Sequence, residues 1–242
     1  MKKILTIGES SRDIFIYCEA VRLAPDIPVP VLHQLAQTEN PGMALNVHRN
    51  IQSLAIDSEV LTNEDWRLIT KTRYMHEKTN HMFFRVDSSH EIKPINTALI
   101  DFSYETIVIA DYDKGYLSEE VIEFICSNHE QVFLDTKKIL GSWARKASFI
   151  KINDYEFVRS QPFLDGNLES KIIHTMGPDG CEFQGKRYKT QQVNVGDSSG
   201  AGDTFIAALA VKYSETSEIV KSIQFANKSA SEVVRQRGVT TI

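Results

Sequence analysis

Short apolar runs recur along the chain, and each closes on a polar tip. Residues 4–7 end at Gly8, and residues 106–110 end in Asp111-Tyr112-Asp113-Lys114-Gly115. Residues 132–134 end at Asp135-Thr136-Lys137, residues 149–152 at Asn153-Asp154-Tyr155-Glu156, and residues 171–174 at Thr175-Met176-Gly177. Runs this short and this apolar predict strands buried on both faces, the type a parallel sheet requires. Helical patterns alternate with them. Ala44, Val47, Ile51 and Leu54 share a face after Asn40-Pro41-Gly42, which reads as a break in the chain. Ser118 caps a pattern carrying Val121, Ile122 and Ile125, with acidic residues in its first turn. Thr204, Phe205, Ala208, Leu209 and Tyr213 follow Gly200 at helical spacing, and Ile219, Ile223, Ala226, Ala230, Val233 and Val234 line residues 219–237, with Gly238 placed as the C-cap. This rhythm predicts an α/β fold with a mostly parallel sheet and ligands outside the carboxyl ends of its strands.

One region departs from the rhythm. Residues 14–17 and 29–35 read as short strands joined by a connection containing Pro25, Pro28 and Pro30. Proline is confined to sheet edges and bulges, so these strands predict a small, partly exposed sheet of the kind that covers a cleft. Residues 14–35 and about 82–96 are read as this lid, inserted in one domain spanning 1–242. Residues 56–73 carry no clear pattern, and 240–242 form a short strand or tail.

Composition narrows the function classes. An apolar share of 42% in 242 residues supports one sizeable core. A net charge of -5 without a basic block excludes a nucleic-acid grip from first consideration. Cys18, Cys126 and Cys181 are odd in number and far apart, which predicts buried thiols in a reducing compartment rather than a disulfide or thiolate zinc framework. The first apolar run is too short for a signal peptide or membrane span, so a cytoplasmic, non-membrane protein is the expectation. The histidines form no HExxH; His76 and His81 either meet an anionic substrate or occupy an exposed turn. No GxxxxGK[ST] loop is present, and Gly8 lacks GxGxxG surroundings.

Candidate chemistry centres on residues 193–213, where Gly200-Ala201-Gly202-Asp203 opens a helix pattern. Glycines at a helix start place backbone N–H groups around an anion. A carboxylate at the same place either favours the helix dipole or deprotonates a hydroxyl that attacks a bound phosphate. Asp13, Asp111, Lys114, Asp135, Lys137, Asn153 and Glu156 collect at other strand tips. Singly these are ordinary loop residues. Together they supply what phosphoryl transfer needs: a base, cations for developing charge, and oxygen ligands for a hydrated divalent ion. Asn46 either turns the chain or presents its amide to a polyol.

Asp197-Ser-Ser-Gly-Ala-Gly-Asp203 and the helix behind it resemble the second signature of the ribokinase-like, or PfkB, family of sugar kinases. Gly8-Glu-Ser-Ser-Arg-Asp13, Ala24-Pro-Asp-Ile-Pro-Val-Pro-Val31 and Gly42-Met-Ala-Leu-Asn46 are similar to the kinase domains of bifunctional heptose-phosphate kinase/adenylyltransferases. Lys71-Thr-Arg73, Arg85-Val-Asp87, Asp111-Tyr-Asp-Lys-Gly115 and Asp135-Thr-Lys137 extend that similarity. The resemblance implies a three-layer α/β/α fold with a small β lid, and ATP and Mg²⁺ as cofactors. It makes Asp203 the base and the Gly200, Ala201 and Gly202 backbone the anion hole. Asp13, Gly42 and Asn46 would hold the sugar, with Arg73 and Lys137 on a substrate phosphate. Asn153 and Glu156 would organise Mg²⁺ through water, and Thr175, Gly177, Gly180 and Asn227 would face the nucleotide.

The implied activity is ATP-dependent phosphorylation of a sugar or sugar phosphate, including a heptose 7-phosphate, with lid edges available for a homodimer. Two alternatives stand beside it: a catalytically weak sugar- or nucleotide-binding regulatory or assembly protein, and a kinase of a nucleoside or other small alcohol. Pro41 and Met43 replace small residues of the usual pattern. The path from Leu54 to Lys71 is also too short for the family's strand-helix-strand section, and the adenylyltransferase module is absent from this sequence.

Overall fold

The first apolar run becomes a strand of the main sheet, one place in from its edge. In the computed structural model, which describes residues 3–88, 90–191, 193, 197–236, 238 and 240–242, strand β1 (Ile4–Gly8) is buried along its whole length. Asn194, Val195 and Gly196 of the glycine-rich stretch, and Ser89 and Arg237 of the expected lid and closing helix, lie outside the described residues, as do Met1, Lys2, Gln192 and Val239.

The remaining elements follow in chain order: β2 (Ser10–Leu23), β3 (Pro30–Met43), α1 (Ala44–Ser53), β4 (Ser58–Leu61), β5 (Thr70–His76) and β6 (Met82–Asp87). Then come β7 (Thr106–Asp111), α2 (Glu119–Asn128), β8 (Val132–Thr136), β9 (Phe149–Asn153), α3 (Asp154–Ser160), α4 (Gly166–Glu169) and β10 (Ile172–Thr175). The chain closes with β11 (Cys181–Phe183), β12 (Lys186–Tyr188), α5 (Ala201–Thr216) and α6 (Ile219–Val233). The main sheet has the order β12, β11, β10, β9, β8, β7, β1, β4. Pairings from β4 to β10 are parallel, whereas β10 with β11 and β11 with β12 pair antiparallel.

Strand periodicity divides the core into two layers. Ile4, Val108, Phe133 and Ile173 face one side, where Val47 and Ile51 of α1 and the buried faces of α5 and α6 cover them. Leu5, Ile107, Leu134 and Ile150 face the other, against Ile122 and Ile125 of α2 and Ile92, Ile95 and Ile100 of an irregular segment. The result is a three-layer α/β/α fold built on the mostly parallel sheet that the alternation predicts. Helix α5 is buried from Asp203 through Val211, so it is a core helix rather than an amphipathic surface one.

The lid is a separate four-stranded sheet in the order β3, β2, β5, β6. It is larger than its sequence signals. Asn40-Pro41-Gly42 does not interrupt the chain: β3 continues to Met43, with Pro41 opposite Arg12 and Asn40 opposite Asp13. Residues 56–73 are not patternless, because they hold β4 and the start of β5, while residues 90–96 contribute no strand. After β4 the chain turns directly into the lid, which leaves β4 at the edge of the main sheet. At the far end, α6 stops at Val233 with Val234 as its C-cap, so Gly238 does not cap it. Residues 240–242 form no strand; the Ile242 N–H donates to Asn50 Oδ1 at 3.3 Å. All three cysteines are buried and free, and among the described residues no helix is long and apolar enough to cross a membrane.

Candidate active site

The carboxyl ends of four parallel strands, β7, β8, β9 and β10, and the start of α5 converge on one cavity of about 590 Å³. Ten of the expected site residues line it: Lys137, Asn153, Thr175, Gly177, Gly180, Gly200, Ala201, Gly202, Asp203 and Asn227. Asp13, Gly42, Asn46, Arg73 and Glu156 lie outside the lining. The first four lie on the lid side, where Gly42 and Arg73 close on the Asp13 carboxylate and Asn46 donates to Asp203, and Glu156 stands behind Asn153 and Lys137.

Gly200 sits at the N-cap of α5 with φ 81°, in the left-handed region, and sends the next residues into the helix. The Ala201 N–H closes a turn on the Ser198 carbonyl at 3.3 Å. A side chain on Gly202 would place its Cβ 2.9 Å from Nζ of Lys151, so the backbone and that ammonium meet at van der Waals range. Lys151 is itself buried against Asp135, its Nζ donating to Oδ2 at 2.9 Å. Burial opposes the charge on Asp135, but Lys151 and Lys137 prevail and hold its carboxyl below the usual range.

Asp203 occupies the first turn of α5 and is 6% exposed. Its Oδ2 accepts from Asn46 Nδ2 at 2.8 Å, and its Oδ1 accepts from the Tyr112 hydroxyl. Burial pushes the Asp203 carboxyl above the ordinary aspartate range, against the lowering effect of these two donors. A carboxylate tuned upward suits a group that must accept a proton near neutral pH. One turn along α1 from Asn46, Asn50 Oδ1 accepts from the Thr204 hydroxyl at 3.1 Å, which locks α1 to α5 beside the carboxylate.

On the lid side, Asp13 Oδ2 lies 3.2 Å from Arg73, and the guanidinium rests 5.1 Å from the centroid of the Phe15 ring. Gly42 closes on the same carboxylate; a Cβ there would fall 2.7 Å from Asp13 Oδ1 and 2.9 Å from Ser11 Oγ. Lys71 Nζ lies 4.9 Å from the Tyr112 ring centroid. Burial lowers its pKa, and Asp13 and Asp203 partly offset that loss. Met43 follows at φ 61°, ψ −131°, a strained conformation for a non-glycine residue at the mouth of α1.

On the opposite side of the cavity from the lid, Asn153 and Glu156 form a reciprocal capping box at the start of α3. Glu156 Oε2 accepts the Asn153 N–H at 2.7 Å, while Oε1 pairs with Lys137 Nζ. Burial works against the Lys137 charge, yet Asp135 and Glu156 hold its pKa well above the usual lysine value. Among the described residues no cluster of three or more His, Cys, Asp or Glu forms a metal cage. With both oxygens of Glu156 already accepting from nitrogen, this set fits a hydrated Mg²⁺ carried by nucleotide phosphates and reached through water. Asn227 Nδ2 donates to the Tyr188 carbonyl at 2.9 Å and ties α6 to β12 at the cavity wall.

Residues 120–242 match the model of the pfkB family of carbohydrate kinases. The chain belongs to that family. This pfkB-family chain is 30% identical to the bifunctional protein HldE of Helicobacter pylori strain J99, over 98% of its own length and 64% of the relative's. It is 26% identical to HldE of Hydrogenovibrio crunogenus, over 99% of the chain and 61% of the relative. The chain thus spans less than two thirds of these relatives. The alignment with the first runs over 297 residues, more than the 242 of this chain, in keeping with a shortened middle. Its fold is similar to that of the Methanocaldococcus jannaschii nucleoside kinase (TM-score 0.73, 18% identity, 99% of this chain and 93% of that one). It is also similar to Thermotoga maritima ribokinase (TM-score 0.72, 15% identity, 99% and 95%).

Sequence reasoning missed four participants in this family member. Tyr112 appears only as part of a strand-tip motif, and Glu9 and Lys71 only inside quoted segments. Lys151 sits within an apolar run, where a lysine between isoleucines was the available signal. His76 serves the lid turn, its Nδ1 accepting the Thr79 N–H at 3.2 Å.

Proposed function

We propose that the chain is an ATP-dependent phosphotransferase that moves the γ-phosphoryl group to a hydroxyl of a sugar or sugar phosphate, with a heptose 7-phosphate as the first substrate to test. One observation carries this reading: a buried carboxylate with a raised pKa, Asp203, stands at a helix N-terminus in the wall of the large cavity, where Asn46 donates to it from the lid side. In this reading the acceptor hydroxyl gives its proton to Asp203 as its oxygen forms a bond to the γ-phosphorus, and the bond from that phosphorus to the β–γ bridging oxygen breaks. The Gly200–Gly202 backbone, Lys151 and Lys137 face the charge that develops on the phosphoryl oxygens. Mg²⁺, when bound with the nucleotide, supplies charge neutralisation on the phosphates; Asn153 and Glu156 would orient its water shell. Thr175, Gly177, Gly180 and Asn227 hold the nucleotide.

Asp13, Gly42 and Asn46 bind the sugar hydroxyls. The pair Lys71 and Arg73 places two cations on the lid side, which favours a phosphorylated sugar over a neutral one or a nucleoside. The test is ADP release with a panel of sugars, sugar phosphates and nucleosides, comparing wild type with Asp203→Asn. Acceptor-dependent release that falls by about 10²–10⁴-fold in the variant supports the reading; no acceptor-dependent release from folded wild type overturns it.

A second reading, a sugar- or nucleotide-binding regulatory or assembly protein with weak catalysis, is favoured by the strained Met43 and the shortened path from β4 to β5. Calorimetric binding without turnover would select it. The lid carries exposed Leu35, Phe84 and Val86, which suit a homodimer contact checked by sedimentation.

A further inference from the structure

Both oxygens of the Asp203 carboxylate already accept hydrogen bonds. Asn46 takes Oδ2, and it does so with an amide from α1, a helix locked to α5 by the Asn50–Thr204 bond. The donor on Oδ1 is different in kind. It is the hydroxyl of Tyr112, an O–H group like that of an acceptor alcohol, and it comes from a strand-tip loop rather than from a helix. Tyr112 lines the same cavity as Gly200, Lys151 and Asn153, so the phenol stands where the phosphate-facing surface meets the base.

The loop presenting Tyr112 is held from behind. Glu9, fully buried, accepts the Tyr112 N–H on Oε2 and the Lys114 N–H on Oε1, each at 2.9 Å. Two ammonium groups approach the ring, Lys71 at 4.9 Å and Lys137 at 5.5 Å from its centroid. Neither of these restraints uses the hydroxyl. Its single described partner is the carboxylate.

Resting on the reading of Asp203 as the base, we infer that Tyr112 is a place-holder: its hydroxyl occupies the acceptor's position on Asp203 when no acceptor is bound, and so keeps water off the base. A water admitted there would lose its proton to Asp203 as its oxygen bonds to the γ-phosphorus of ATP. The bond to the β–γ bridging oxygen would break, and ADP and inorganic phosphate would leave. The phenol blocks that futile step, and a sugar hydroxyl must displace it, so Tyr112 also sets the acceptor KM.

Phosphate release from ATP, without and with acceptor, separates the possibilities in wild type, Tyr112→Phe, Asp203→Asn and the double variant. Tyr112→Phe keeps the ring beside the two lysines and removes only the hydroxyl. It is expected to raise acceptor-independent hydrolysis at least about ten-fold and to lower the acceptor KM, and the double variant is expected to lose the added hydrolysis. Acceptor-independent hydrolysis at or below the wild-type rate in folded Tyr112→Phe overturns the proposal, as does a gain that survives Asp203→Asn. Tyr112→Leu gives the same reading if the first variant does not fold. The acceptor panel and the hydrolysis assay are separate: absence of sugar turnover defeats the kinase reading, while the hydrolysis comparison alone decides the place-holder.

Discussion

Asn46 Nδ2 donates to Asp203 Oδ2 at 2.8 Å, joining two residues 157 positions apart in the chain. The bond fixes the carboxylate from α1 and favours its ionised form. Asn46→Ala removes a hydrogen bond to a charged group, worth about 1.5–3 kcal/mol. We expect kcat/KM to fall roughly 10–100-fold, in line with about 1.4 kcal/mol per factor of ten. We also expect the acid limb of the kcat profile to move to higher pH, because a donor that lowers the Asp203 pKa is gone. Initial rates across pH check both.

Asp203 itself connects activity to stability. Its folded pKa is raised by burial, so its stabilising contribution is present below the ordinary aspartate value and is lost as pH rises through the folded pKa. Above that folded pKa the fold carries an unfavourable buried charge. Asp203→Asn removes that charge, and the variant is expected to melt above wild type at pH 7.5 while losing turnover. Each 1 kcal/mol gained corresponds to roughly 2–4 °C for a chain of this size. The gap should narrow as pH falls through the folded pKa and close below about 4, the ordinary aspartate value, where the carboxyl is protonated in both states. Calorimetry at several pH values reads this directly.

Gly42→Ala tests the lid-side cluster around Asp13. The new Cβ would sit 2.7 Å from Asp13 Oδ1, and Asp13 has little room to yield because Arg73 holds its other oxygen at 3.2 Å. The expected outcome is an acceptor KM raised at least about ten-fold with the nucleotide KM unchanged, at a stability cost of about 1–3 kcal/mol. Steady-state kinetics and urea denaturation separate the two effects.

Glu156→Gln leaves Lys137 with Asp135 alone, at 3.6 Å, and removes one charge-assisted bond from a buried network. We expect a loss of about 1–3 kcal/mol in denaturation and a raised ATP KM, with the acceptor KM little changed. An unchanged ATP KM would separate Glu156 from the nucleotide site.

The layer architecture was legible because its signals are local. Apolar runs such as residues 106–110 are buried on both faces, and Ser118 caps α2 as its position predicts, its Oγ accepting the Val121 N–H at 3.3 Å. The lid was less legible. Pro41 and Gly42 break strands on local propensity, and only pairing with Arg12 and Ser11 across the sheet carries β3 through them. The site divides in the same way. Gly200 to Asp203 announce themselves by spacing, whereas Tyr112, Lys151 and Glu9 acquire their places from tertiary contacts with residues distant in the chain. A lone polar side chain in an apolar run does not name its partner.

A single residue, Glu9, separates the last residue of β1 from the first of β2. It is the whole joint between the main sheet at this point and the lid. The same residue grips the backbone of Tyr112 and Lys114 through its carboxylate. The end of β1, the start of the lid strand β2 and the loop carrying the phenol are thus fastened to one another through a single residue, and a change at position 9 reaches all three.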